Sequence, residues 1–188
     1  MTKRTGSNEG KRAGADPRAA RARSTEALTR PRYFSGMLLT PRDLEAEQRY
    51  VRDKQRRHNR CLHGYGVACG LDVSLGTAAI VVSPGLALDG FGEEIAVSRA
   101  VEADVPRDGS RAYLVIRYVE VEGDPVPAGE GRMECTRITE GFALCCEASD
   151  PCRGLPRDAA PTAIPLARLV RRRGRWRLDR TYRRPRAR

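Results

Sequence analysis

Four cysteines fall within eighteen residues, Cys135, Cys145, Cys146 and Cys152, in the spacing C-x9-C-C-x5-C. Thiolates at such a density could hold zinc tetrahedrally. The spacing, however, lacks the paired C-x2–4-C knuckles of structural zinc sites. Adjacent cysteines in a strand also point to opposite faces, so Cys145 and Cys146 cannot both turn toward one ion. The four are weak metal candidates, and no metal is expected. A disulfide from Cys135 or Cys146 to Cys152 is an alternative, as is one between Cys61 and Cys69. An even count of six suits disulfides in a secreted chain, but no secretory signal is visible, so free thiols are the default. His58 and His63 are the only histidines. Neither forms a Ser-His-Asp or Cys-His set that spacing alone can establish. The glycine-rich "GYGVACG" follows an expected helix instead of opening one, so it offers no phosphate cradle. No catalytic residue and no cofactor are expected, and the chain reads as a non-enzyme.

The other candidate chemistry is cationic. The net charge of +11 is unevenly spread: residues 1–32 carry nine Lys/Arg and three Asp/Glu, and residues 168–188 carry eleven Arg and one Asp, while the middle is acidic. Basic ends on an acidic body can meet nucleic acid, an anionic membrane or acidic protein surfaces, or can be solvated tails. In "RLVRRRGRWRLDRTYRRPRAR" the arginines interleave with Trp176 and Tyr182, one way to hold single-stranded nucleic acid. Arg171, Arg172, Arg173 and Arg175 are the anion-binding candidates. The same stretch also reads as an ordinary hairpin with arginine at its tip. No apolar run approaches the ~18 residues of a membrane span. Synthesis in the cytoplasm is expected.

These groups must be positioned by a chain of 188 residues, enough for one domain with tails. Residues 1–32, with no large apolar cluster, are expected to be a disordered basic tail. In residues 33–70, "RYFSGMLL" groups Tyr33, Phe34, Met37, Leu38 and Leu39 into an apolar latch turned at Gly36. A helix is then expected over about 41–62. Thr40 is a good N-cap, Pro41 suits the first turn, Asp43 can close a capping box, and Leu39 with Leu44 is spaced like a hydrophobic staple. Acidic residues early, arginines late and glycines at 64 and 66 fit the dipole and the exit. Its inward rows read Leu44, Val51, His58 and Gln48, Gln55, Leu62. That stripe is narrower and more polar than a helix sunk in a globular core shows; it suits a helix pinned across the surface of a small sheet domain, packed on copies of itself or docked into a neighbour. With Tyr33 and Phe34, these six positions are therefore the partner-binding candidates, for other subunits or for copies of the chain.

Beyond Gly70 the period changes to short β-rich runs separated by turn residues. "AYLVIRYVEV" is apolar on both faces and should be a central strand. "EGDPVPAGEGR" (122–132) reads as a loop, "CTRITEGFALCCE" as a strand bulged at Gly141, and "IPLARLV" with "RWRLD" as a closing hairpin around "RRRG". About eight strands over 71–182, ahead of a basic tail at 183–188, predict an α+β but mainly β fold: a long N-terminal helix followed by a small antiparallel sandwich or barrel.

The string "RYFSGMLLTPRDLEAEQRYVRDKQRRHNRCLHGYGVACGLDV", followed by "IVVSPGLALDGFGEEIAV", resembles a family found with phage-tail-like gene clusters, including extracellular contractile injection systems. The resemblance covers about 33–120 and a weaker "IPLARLV…W.LD" ending. It does not include the cysteine-rich segment or the basic ends. It implies a structural role: a baseplate-type adaptor whose latch and helix dock onto neighbours in a particle that is later released. A nucleic-acid-binding module using the two basic ends is the alternative.

Overall fold

The computed structural model describes residues 28–156 and 159–188. Most of the expected N-terminal tail lies outside the described residues. The chain divides into a first compact unit that ends at Tyr50 and a second that begins at Val51.

In the first unit the latch turns as its composition suggests. Met37 N–H donates to Phe34 O at 3.1 Å across Gly36, whose φ of 85° only glycine adopts freely. Helix α1 (Pro41–His58) then starts on Thr40. The Asp43 carboxylate accepts from Thr40 N–H at 2.9 Å and from Thr40 Oγ1 at 2.6 Å, the acidic half of the expected capping box. Those two bonds hold the Asp43 carboxyl below its ordinary value. No residue of α1 is buried.

The helix does not run to residue 62 as one α-helix. From Asn59 to His63 it widens into a π turn, closed by Gly64 N–H donating to Asn59 O, with Gly64 at φ 69°. The extra residue in the turn goes with a particular side chain: Asn59 is 3% exposed. Such bulges re-aim side chains and recur at functional positions.

The described residues of the second unit form ten strands: β1 (Gly66–Gly70), β2 (Val73–Leu75), β3 (Ala79–Val82), β4 (Gly85–Leu88), β5 (Glu94–Val97), β6 (Val101–Asp104), β7 (Arg111–Pro127), β8 (Met133–Glu147), β9 (Ala163–Arg172) and β10 (Arg175–Leu178). They form three sheets, in the orders β1-β4-β5, β2-β3-β6 and β10-β9-β7-β8. Every pairing between these strands is antiparallel. The fold is thus mainly β, as expected. One core is shared by all three sheets: Val67 of β1, Ile80 and Val82 of β3, Ile95 of β5, Leu114 and Ile116 of β7, and Ile164 and Leu169 of β9. Burying a side chain of this size contributes about 1.5–3 kcal/mol.

β7 is the expected central strand, between β9 and β8. Its even positions enter the shared core, while Tyr113 and Val115 pack on the other face with Ala163 and Tyr182. Two sequence expectations fail beside it. Residues 122–127 are not loop: β7 continues through them, pairing Glu122 with Ile138 and Pro127 with Met133. Gly141 is not bulged either, since the register runs evenly through Val119↔Gly141. Proline and glycine misled because, among the described residues, no strand lies on the outer side of the far half of β7, where a missing N–H costs no ladder bond.

The β9–β10 hairpin forms as expected. Arg172 pairs with Arg175 around a two-residue loop, Arg173 and Gly174, at φ 51° and 77°, the positive pair that two-residue hairpin loops require. Residues 183–188 lie along β1: Val67 N–H donates to Pro185 O, Ala187 N–H donates to Val67 O, and Val67 and Arg186 form a parallel bridge. Gly66 permits this approach, because a Cβ there would come within 2.6 Å of the Arg186 nitrogen.

Candidate protein-interaction surfaces

The partner-binding candidates do not form one uniform set. Leu44, Val51 and Leu62 are 53%, 58% and 61% exposed. Tyr33 and Phe34 are exposed too, although Tyr33 lies near α1, where burial and the Glu47 carboxylate raise its phenol above the ordinary value. Gln48 is exposed. Gln55 is not free: its Nε2 donates to Asn59 Oδ1 at 3.1 Å and to Glu94 Oε1 at 3.3 Å. His58 is exposed, its ring 5.4 Å from that of His63.

Gln55 is spent on the socket that seats the π turn. Asn59 Nδ2 donates to Gly92 O at 3.0 Å and to Glu94 Oε1 at 3.2 Å. Arg56 pairs with Glu93, and Arg52 with Glu120 at 3.5 Å. Gly92, at φ 88°, must be glycine here because a Cβ would overlap the Arg56 carbonyl. The turn carrying it is built on Asp89, which is buried and accepts from Phe91 N–H and Glu93 N–H at 2.9 Å each. Burial pushes the Asp89 carboxyl above its ordinary value, against those N–H bonds. Sequence reading missed this socket. Its one signal was "DGFGEE", legible as a turn but not as the seat of a helix end thirty-three residues upstream.

The cysteines form no site. Cys145 sits opposite Val115 and Cys146 opposite Leu114, on opposite faces of β8 as alternation requires. Cys146 packs against the core and Cys152 is half-buried, and burial pushes each thiol up to about 11. Cys135 faces Pro125 far along the ribbon. All six cysteines are free thiols, so neither candidate disulfide is present. Among the described residues no three His, Cys, Asp or Glu side chains gather as metal ligands. No described helix is long and apolar enough to cross a membrane.

The basic hairpin tip is partly committed. Arg171 lies 6.0 Å from the Trp176 ring and donates to Gly174 O at 3.3 Å, whereas Arg172, Arg173 and Arg175 are exposed. The aromatics that would stack on bases turn inward. Trp176 Nε1 donates to Pro106 O at 2.7 Å and its ring packs on the core. Tyr182 donates to Asp150 at 2.8 Å and meets Tyr113 edge-on. Arg184, inside the expected basic tail, donates to Gly70 O and Asp72 at 3.0 Å each, and also to Leu71 O.

No protein-family model and no curated protein sequence matches the chain. Solved structures do share its fold. A chain in the type VI secretion system TssK-TssF-TssG baseplate subcomplex, seen by cryo-electron microscopy, is similar at TM-score 0.53 and 17% identity over 84% of this chain and 62% of that one. The crystal structure of TssK is similar at TM-score 0.50 and 15% identity, covering 81% of this chain and 41% of that one. A chain of the baseplate complex from the type VI secretion system gives TM-score 0.53 and 16% identity, over 85% and 60%. The chain spans less than two thirds of the length of each of these three. At these identities the likeness concerns the fold.

Proposed function

We propose that this chain is a non-enzymatic structural subunit of a contractile, phage-tail-like particle: a baseplate-type adaptor, made in the cytoplasm, that docks onto neighbouring subunits through its latch and α1. The observation that carries the reading is an α-helix with no buried residue and with Leu44 and Val51 open to solvent. An apolar stripe of this kind is finished by another chain. The fold shared with chains of baseplate assemblies supports the same reading. The three sheets act as the rigid, sandwich-type body.

The test is co-expression with the proteins encoded beside it, followed by sedimentation. The expected result is that the chain sediments with a particle, and that Leu44→Asp with Val51→Asp lowers its share at least about tenfold, the effect of ~1.4 kcal/mol, without lowering Tm. A chain that stays a monomer among those partners would overturn the reading.

A further inference from the structure

β8 is an edge strand, and β9 pairs β7 only as far as Arg117. Beyond that point the β7–β8 ribbon has two edges that, among the described residues, are open, each a row of backbone N–H and C=O groups with no ladder partner there. The edges differ. On β7 the far segment carries Pro125 and Pro127, which have no N–H to offer, and Asp124 at φ 52° breaks the extended backbone. A further strand cannot grow there. On β8 the segment Met133–Glu140 has no proline and no positive φ. Every residue in it is exposed, including Met133 at 58% and Ile138 at 57%.

The charge is also one-sided. Residues 120–140 hold six acidic residues against two arginines. An open edge of this length, flanked by apolar side chains and carboxylates, suits an extended segment of opposite charge.

We propose that the outer edge of β8 over Met133–Glu140 takes up an extended, net-basic segment of a partner chain as an added β-strand. The proposal rests on the reading of the chain as one subunit among several, but its test needs no particle, so the two can fail separately. The probe is a synthetic peptide of alternating valine with arginine or lysine. The readout is residue-resolved amide hydrogen exchange on the full chain. The expected result is at least about tenfold slower exchange of alternate amides in 133–140, with the outer edge of β7 unchanged and no effect from a glutamate-for-arginine peptide. Ile138→Pro should abolish the protection. Glu134→Lys with Glu140→Lys, which leaves the backbone alone, should weaken the basic peptide at least about tenfold. Unchanged exchange, equal protection of both edges, or equal binding of the acidic peptide overturns the proposal. So does protection already present without peptide: if it vanishes on dilution to monomer the occupant is a second copy, and if it vanishes on removing residues 1–27 the occupant is this chain's own basic segment.

Discussion

Asn59 shows how one polar side chain can seat a helix. Its amide donates to Gly92 O and Glu94 while its oxygen accepts from Gln55. Asn59→Ala leaves the buried Gly92 carbonyl without a partner, a loss of about 1–3 kcal/mol; denaturant unfolding should show a lower midpoint with an unchanged m-value. Asp179 supplies a pH dependence. Its carboxyl accepts from Thr181 Oγ1 at 2.7 Å, from Thr181 N–H at 2.9 Å and from Arg168 Nε at 2.8 Å. The Thr181 hydroxyl first, then the Thr181 N–H and Arg168, bring it from an ordinary 3.8 down to about 2. The folded state therefore favours the ionised form. Its stabilising effect is present above the unfolded value and is lost as pH falls through about 2. Carbon-detected titration of Asp179 should give a midpoint near 2, moving up in Thr181→Val. A wild-type midpoint near the ordinary value would refute this network.

At the scale of elements, the end of α1 and the Asp89–Gly92 turn hold each other. Gly92→Ala adds a methyl where the Arg56 carbonyl sits, at a φ that non-glycine residues rarely adopt. The expected outcome is release of the π turn, with amides of 56–64 exchanging as much as about a hundredfold faster, a local loss of ~2–3 kcal/mol, while the β9–β10 hairpin keeps its protection. Uniform loss over all ten strands would show that the helix end and the sheets unfold as one unit instead. In the sheets, β7 has the opposite character: Leu114 is fully buried at the centre of the core, so Leu114→Ala should cost about 2–5 kcal/mol and should be read as a large drop in Tm.

At the scale of the molecule, charge separates the two functional readings. Arg172, Arg173, Arg175 and Arg177 are exposed, but Trp176 and Tyr182 are held by Pro106 O and Asp150. A cationic tip without free aromatics predicts weak attraction to phosphate and no stacking. Binding of a single-stranded oligonucleotide should fall steeply with salt. Arg172→Gln with Arg173→Gln should weaken it, and Trp176 fluorescence should not change. Salt-resistant binding that quenches Trp176 would restore the nucleic-acid alternative.

Local chemistry determined much of this protein in advance. The Thr40–Asp43 cap, the glycine exit at Gly64, the central β7, the alternation of Cys145 and Cys146 and the Arg173–Gly174 hairpin all follow from residues a few positions apart, so the sequence alone announces them. The thin stripe of α1 was legible for the same reason, since helical period depends only on spacing. What was not legible depends on pairings across long stretches of chain. The ribbon at 122–127 reads as loop until β8 is placed beside it. Gln55 reads as a spare polar group until Gly92 and Glu94 arrive under Asn59. Residues 183–188 read as a loose basic tail until Val67 offers them its N–H and carbonyl. In each case a backbone or amide group gains its partner only when folding brings a distant segment within hydrogen-bond reach, and no local pattern records which segment that is.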